Sequence, residues 1–506
     1  MGKQLLMSVD LGTSFIKAGV YNTESQCIAE ELEPVKDYRP SPGSFIQKGD
    51  ELFQSVVNCI KKVVVTIGDD ADLIAAIGFT GQMAGFIGVD KDWNDITTWS
   101  CSLDTRYMPY AERQMTFLKN DFLELAGTNS PQMASKFEWF AKDFPEESKK
   151  IAKYMMISSY IIGKLSDIPI EEATIDRSYL AWTGLSDINQ NAWSDKICAA
   201  IDLDQKYLPK IVNASEVCGH LSEKTATKTG LKAGIPLVSG SGDKVAGALG
   251  AAIVTPGDMI FEAGSYGEIS CCVEEYRPDM VEGRLDVLGS AIPNHFLSTH
   301  FIAGSGITID WFVNTFVRKD GEKISEAFKR VEAEVEKVEP GSNNLGAIGL
   351  LGGSAMPLNG LLKGMFYNFD WCHGIGHFYR ALLESFSFDF ALSMRNIDKL
   401  YPEYNTEVVN VIGGGAKSEV WMQMMADVSG KTFYNLDRGD AAMWGTAIIA
   451  GHGVGIFDNM QETAKKFVTK TKKFVPNMEL HDVYQPLVDR YAEALKVSEP
   501  VYNNMK

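Results

Sequence analysis

The sequence predicts an α/β protein built from two packed halves, and three observations carry that prediction. Short apolar runs alternate with longer segments of helical period along most of the chain. A strand, a Gly/Ser/Thr turn and a second strand occur near the start of each half, around Asp10-Leu11-Gly12-Thr13-Ser14 and around Gly264-Ser265-Tyr266-Gly267; such a repeat suggests two related halves facing one cleft. No low-complexity linker separates the halves, so they pack against each other rather than hang on a tether. With 506 residues, 45% of them hydrophobic and 23% charged, the chain has an ordinary globular composition. Domains of about 150 residues would number three, or two if each half is large.

Taken in order, residues 5–9 and 16–21 read as strands joined by a tight turn at Leu11-Gly12-Thr13-Ser14. Residues 73–79 and 86–89 read as a second strand pair around Gly81 and Gly85. Residues 107–165, rich in Lys, Glu, Met and Phe, read as mainly helical, with Pro131 and Pro145 as breakers. At residues 234–240 a short strand leads into Ser241-Gly242-Asp243-Lys244 and a helix of small residues at 245–253. The domain boundary is expected just before that strand, giving domains 1–235 and 236–506. Residues 259–262 open the second half as a strand. Residues 408–412 form another, feeding Gly413-Gly414-Gly415-Ala416, and Ser418 can cap a helix at 419–428. A further helix is expected at 440–450, with Gly451 at its C′ position.

Charge and cysteine usage narrow the partners. Lys and Arg number 48 against 66 Asp and Glu, a net charge of −18. That field repels nucleic acid and anionic membrane, although a local basic patch can still hold a small phosphate. The eight cysteines are scattered, only Cys271 and Cys272 are adjacent, and no C-x-x-C occurs; they read as reduced thiols of a cytoplasmic protein. The start is not a signal peptide, because Asp10 interrupts its apolar run. Gly2 invites a myristoylation reading, but Leu6 stands where Ser or Thr is wanted. No run approaches the roughly 20 apolar residues of a membrane span.

Several motifs carry possible chemistry. Asp10 at a strand end, beside a turn with free N–H groups, can hold Mg²⁺ while the turn cradles phosphate oxygens; the same pentapeptide also suits an ordinary hairpin. Gly264-Ser265 is a matching turn whose Ser265 can donate to a phosphate, or a generic turn. Gly413-Gly414-Gly415-Ala416-Lys417-Ser418 lets backbone approach a ligand at a helix N-terminus. It is not a P-loop, since Ala416 and Val411 stand where glycines are required, and Ser418 breaks the dinucleotide code. Gly240-Ser241-Gly242 fails that code too, with Val245 in the third place. Asp243, where strand meets helix, can accept a proton from an attacking hydroxyl or simply cap the helix. His373 and His377, spaced i, i+4, read as structural on the expectation that no nearby Glu or Cys completes a metal site. Residues 332–339 read as a solvated helical face.

Together these residues resemble the FGGY family of carbohydrate kinases. Ser8-Val9-Asp10-Leu11-Gly12-Thr13-Ser14 is similar to its first phosphate motif, and Gly81-Gln82-Met83-Ala84-Gly85 to the Gly-Gln-Met-His-Gly of the xylulokinase branch. Gly242-Asp243 resembles the catalytic acid and Gly264-Ser265 the second phosphate turn. Residues 413–427 and Asp440-Ala441-Ala442-Met443-Trp444-Gly445-Thr446-Ala447 resemble the adenosine-site signature. The match runs in consistent order from residue 5 to about 460.

The resemblance implies a two-domain actin/hexokinase-like (ribonuclease H-like) fold, with ATP and sugar in the interdomain cleft. It implies Mg²⁺ at Asp10 and Asp243 as catalytic base. It assigns the nucleotide to Gly12, Thr13, Gly264, Ser265, Gly306, Asp310, Gly414, Gly415, Ala416 and Lys417. The sugar falls to Gln82, Met83, Ala84, Trp99, Asp104, Arg106 and Lys244 beside Asp243. Departures fall on the sugar side: Ala84 replaces a His, Lys244 stands where relatives carry Asn, Gln or Ser, and W-x-D-x-R is stretched over residues 99–106. Gly-Glu-Arg-x-Pro is degraded to Gly353-Ser354-Ala355-Met356-Pro357. The implied reaction is ATP-dependent phosphorylation of a ketopentose such as D-xylulose, giving the 5-phosphate. Ribulose, glycerol, erythritol and gluconate are alternatives, with Lys244 favouring a sugar acid, as is a non-catalytic sugar- or nucleotide-binding regulator. A homodimer is a further expectation from the family.

Overall fold

The structure, a computed structural model, describes residues 4–504, so Gly2 lies outside the described residues. Two large sheets organise it. The first contains β1 (Leu5–Leu11), β2 (Phe15–Asn22), β3 (Cys27–Pro34), β4 (Ile74–Gly81), β5 (Val217–His220) and β6 (Pro236–Gly242), in the order β5-β6-β4-β1-β2-β3. The second contains β7 (Met259–Ala263), β8 (Gly267–Val273), β9 (Asp286–Gly289), β10 (Phe296–Ile302), β11 (Val408–Ile412), β12 (Thr432–Leu436) and β13 (Lys470–Phe474), in the order β9-β10-β8-β7-β11-β12-β13.

The two sheets repeat one topology, as the paired turns in the sequence foretell. In each, an antiparallel hairpin (β1–β2, β7–β8) is flanked by two parallel strands, β4 and β6 in the first and β11 and β12 in the second. Parallel strands of this kind are covered on both faces and read as continuous apolar runs. Accordingly Leu5, Leu6, Met7 and Val9 of β1 have no exposed surface.

Four expectations need correction. The boundary expected between 235 and 236 falls one strand early: β6 pairs with β4 and completes the first sheet, so Asp243 extends the first lobe rather than opening the second. Residues 86–89 do not pair with β4. The chain turns away at Gly81, and Gly85–Val89 joins a small sheet with Ile46–Gln47, Trp99–Cys101 and Lys153–Met155. Helix α6 (Ala441–Gly453) runs past Gly451, on which the Phe457 ring packs. That helix also crosses between lobes. Although late in sequence, it lies on the first sheet, where Ser8 Oγ donates to the Met443 carbonyl at 2.7 Å.

The small residues of α6 explain the crossing. It packs closely on α2 (Asp243–Gly250): a Cβ at Gly445 would lie 2.0 Å from the Ala246 oxygen, and one at Gly250 would lie 1.9 Å from the Ala441 oxygen. Backbone meets backbone there, and no side chain can yield. Other helices used below are α3 (Ser305–Phe312), α4 (Ile375–Leu400) and α5 (Glu419–Ser429). No described helix is long and apolar enough to cross a membrane. Gly445→Ala is expected to destabilise the protein by about 1–3 kcal/mol through overpacking, read as a lowered midpoint in urea; an unchanged midpoint would contradict the close crossing.

Candidate functional site

The site is built on the carboxyl-terminal ends of the parallel strands, where open α/β sheets present ligands. Asp10 lies one residue from the end of β1, in register with Thr80 of β4. Gly242 ends β6 in register with Gly81, and Asp243 follows as the first residue of α2. The topology therefore brings two carboxylates, 233 positions apart in sequence, to one edge of one sheet.

Both acids are held well above the usual carboxylate range. Burial raises Asp10 to about 7, the charge of Asp243 adds to it, and Lys17 opposes it. Burial raises Asp243 to about 6; Glu262 and Glu268 push the same way, while Lys244 and its backbone N–H, 2.8 Å from Oδ1, push back. Beside Asp10, the buried Thr80 hydroxyl has no hydrogen-bond partner. Oxygen donors short of positive charge fit a hard divalent cation such as Mg²⁺.

The first turn is braced from behind. Gln47 Nε2 donates to the Thr13 carbonyl at 2.7 Å, and Gln82 Nε2 donates to the Gly12 carbonyl at 3.3 Å. Gln82 Oε1 in turn accepts from Trp99 Nε1 at 3.2 Å. Gln82 and Trp99, expected at the sugar, are thus buried and joined to the phosphate turn; Met83 is buried against Gly242, and Ala84 alone of that run is partly exposed. Sequence reasoning passed over Gln47, which sits in a two-residue strand without any motif.

The cations of the sugar side are already paired. Asp104 is fully buried, and its two oxygens accept from Arg106 Nε at 2.9 Å and Nη2 at 2.7 Å, a bidentate pair. The Arg106 guanidinium also lies 4.7 Å from the centre of the Trp139 ring. Lys244 reaches Glu262 at 2.7 Å and Glu268 at 3.5 Å, both on the second sheet. That commitment runs against the expectation that Lys244 awaits a substrate carboxylate. Buried Lys136, which no motif announced, donates to the carbonyls of Ser100, at 2.9 Å, and Cys101, at 2.5 Å. Burial lowers its ammonium to about 8.

A further segment, Asp176-Arg177-Ser178-Tyr179, backs the sheet edge at Gly242. Asp176 Oδ1 caps the turn by accepting from Ser178 N, and Ser178 Oγ accepts from Gly242 N at 2.9 Å. The Asp-x-Ser spacing is the one signal that could have disclosed it.

In the second lobe, Gly264 and Ser265 connect β7 to β8. Gly306, expected at the nucleotide, supports this turn from the first residues of α3: a Cβ there would lie 2.3 Å from the Gly264 oxygen. Asp310 is exposed on the same helix. Gly413 takes φ 95°, and a Cβ would meet the Ala263 oxygen at 2.7 Å, so glycine is required for the chain to leave β11. Gly414 faces open space, Gly415 packs on Trp421, and Asn435 Nδ2 donates to the Ala416 carbonyl at 2.8 Å. Lys417 is exposed, and Ser418 caps α5 as expected.

Asp370 and Cys372 do gather with His373, their ligand atoms within 4.8 Å of one another, a grouping the i, i+4 spacing overlooked. Yet His373 Nδ1 accepts from Asp370 N at 2.9 Å and Nε2 donates to the Asn343 carbonyl at 3.1 Å. His377 Nδ1 accepts from Gly374 N at the start of α4. The pair shapes a helix entry.

The raised acids make a stability prediction. Asp10 sits near 3.8 in the unfolded chain and near 7 when folded, so its contribution is full below pH 4 and lost as pH rises through about 7. Asp10→Asn is therefore expected to be more stable than the parent chain at pH 8, by roughly 1–4 kcal/mol, with the gap closing toward pH 4. Urea unfolding of metal-free protein at both pH values checks this, and a gap that widened in acid would refute it.

The comparisons agree with this geometry. The family model described as FGGY family of carbohydrate kinases, N-terminal domain, matches residues 5–250, and its C-terminal counterpart matches residues 267–454. A xylulose kinase from Bacillus subtilis (strain 168) is 27% identical over 499 residues, covering 96% of this chain and 95% of that one. Among solved structures, a gluconate kinase from Lactobacillus acidophilus superposes with TM-score 0.91 at 19% identity, covering 100% of both chains. A xylulose kinase from the same organism gives 0.90 at 20%, covering 99% of this chain and 100% of that one. With both family domains matched in order across most of its length, the chain belongs to the FGGY family of carbohydrate kinases, ATP-dependent phosphotransferases on the two-lobed actin/hexokinase-like fold.

Proposed function

We propose that the chain transfers the γ-phosphoryl group of ATP to a terminal hydroxyl of a neutral ketose, D-xylulose or a close ketopentose, giving the 5-phosphate. The observation that carries the choice of a neutral substrate is the pairing of Arg106 with Asp104 and of Lys244 with Glu262 and Glu268. A sugar acid such as gluconate would enter a site whose own uncompensated charges, Asp10 and Asp243, are negative. The xylulose kinase relative supports the same reading.

Asp243 accepts the hydroxyl proton as the sugar oxygen attacks the γ-phosphorus. One P–O bond forms, the bond to the β–γ bridging oxygen breaks, and ADP leaves with that oxygen's electron pair. A base poised at about 6 is ionised at neutral pH yet still basic enough to take a proton in the transition state. The backbone of Gly12-Thr13 and of Gly264-Ser265 offers N–H groups to the phosphates from opposite lobes, and the adenosine lies along the open side of Gly414 toward Lys417. Mg²⁺, held by Asp10 and its neighbours, would supply positive charge to the phosphate oxygens. The first lobe thus carries sugar, base, metal and one phosphate turn, and the second carries the other phosphate turn and the adenosine.

ADP release with Mg²⁺–ATP over D-xylulose, ribulose, glycerol, erythritol and gluconate tests the reading. D-xylulose or another neutral ketose is expected to turn over best, and Asp243→Ala to lower kcat roughly 10²–10⁴-fold. Preference for gluconate would refute the substrate class, and a fully active Asp243→Ala would refute the base. With the preferred sugar, kcat/KM is expected to fall as pH drops through about 6, where Asp243 takes up its proton.

A further inference from the structure

The geometry points to Lys244 as a positioning residue for phosphoryl transfer: its ammonium, gripped by Glu262 and Glu268, fixes the base Asp243 of one lobe relative to the hairpin of the other lobe that carries Gly264 and Ser265. The inference rests on the reading of Asp243 as base and goes beyond it, because no substrate contact is asked of Lys244.

Connectivity makes the bridge consequential. Lys244 is the second residue of α2 and is rigidly attached to Asp243. Glu262 precedes the phosphate turn by two residues on β7, and Glu268 follows it on β8 in register with Glu262. The ammonium therefore grips both arms of the hairpin at their base, at 2.7 Å and 3.5 Å. The grip is recessed: the side chains of Lys244 and Glu268 are 16% and 5% exposed. Glu268 is itself pinned, Oε1 accepting from Ser270 Oγ at 2.6 Å and from Thr299 Oγ1 at 3.2 Å, while Oε2 has the Lys244 ammonium as its one nearby partner. Burial opposes the charge on Lys244, but Glu262, Glu268 and Asp243 outweigh it and hold the ammonium protonated. A neutral Asn, Gln or Ser at this position could not join the lobes by charge. In-line transfer needs base and phosphate held within a fraction of an ångström, and these two parts belong to different lobes.

The arrangement also gives the bridge a signature. The titratable groups reaching Asp243 are Lys244 on its own helix, Glu262 and Glu268 from the second sheet, Asp10 from β1 and Tyr179 from the turn behind Gly242. Helix α6, packed on α2, brings His452, whose Nδ1 faces the Phe457 carbonyl. The short helix Met460–Lys466 brings Lys465, bound to Thr255, Lys466, paired with Glu24, and Glu462 beside its Asn459 cap. Lys244 and the two glutamates thus act on Asp243 in opposite senses.

The test compares Lys244→Met, Lys244→Arg and Glu262→Gln with the parent enzyme, using Mg²⁺–ATP and the sugar it turns over best. Lys244→Met is expected to lower kcat roughly 10–100-fold while KM for the sugar stays within about threefold, and Lys244→Arg to recover most of the loss. The acid limb of kcat/KM is expected to move up in pH in Lys244→Met and down in Glu262→Gln, by roughly half to one unit each. Amide exchange of the ligand-free protein, which needs no turnover, is expected to quicken in residues 259–273 in Lys244→Met but not in Lys244→Arg. A rise in sugar KM with kcat unchanged would make Lys244 a substrate contact and overturn the proposal, as would limb shifts of the same sign or unchanged exchange. If Asp243→Ala stays active, the base assignment fails by itself, and exchange in the hairpin still decides whether the bridge docks the lobes.

Discussion

Two carboxylates sharing a poorly hydrated sheet edge are the constraint on which the rest of this structure depends. Asp10 and Asp243 are brought together by parallel pairing of β1, β4 and β6, and each raises the energy of placing charge on that edge. The chain answers only part of that charge internally. Lys17 lies in register with Asp10 on β2, and Lys244 adjoins Asp243. The turn at Gly12 follows Asp10 at the end of β1, and the amides of such a turn suit phosphate oxygens. A site with acids on one side and amides around it is arranged for a metal–phosphate complex, whose charges complement both.

The second lobe repeats the first in topology but not in charge. Its hairpin β7–β8 places glutamates, Glu262 and Glu268, at the base of the turn. Two more acids close to the cleft would be costly without a counterion, and Lys244 supplies it from the opposite lobe. Helix α6 ties the lobes a second time, by packing rather than charge: small residues let it lie directly on α2, the helix that begins with Asp243. Asp243 is therefore flanked by a backbone-to-backbone crossing on one side and an ion pair on the other.

Charge pairing also bears on what enters the sugar side. A stretched W-x-D-x-R segment suggests a looser pocket, yet its Asp and Arg close on each other in a bidentate pair, and Lys136 fastens the strand before them. The loss of a His at Ala84 leaves a small apolar surface at the one exposed position of that run. On the proposed reading, selectivity rests on shape and hydroxyl contacts rather than on a free cation.

The class of fold, the paired turns and the glycine loop with its Ser418 cap are legible in the chain alone. Each is a local pattern: a strand end, a turn composition, a cap, a run of small residues. Where the expectations failed, the deciding contact was distant in sequence. The strand at 236–242 was assigned to the wrong half because local pattern cannot say which sheet a strand will join. The missing side chain of Gly306 makes room for the Gly264 turn, and the partners of Lys244 lie 18 and 24 residues further on, contacts that no local pattern announces. Gln47 carries no motif that separates it from any polar loop, and the segment Asp176–Tyr179 carries only an Asp-x-Ser spacing. Tertiary structure alone decided those roles, because pairing, burial and charge compensation depend on which surfaces meet, and spacing along one chain does not encode that.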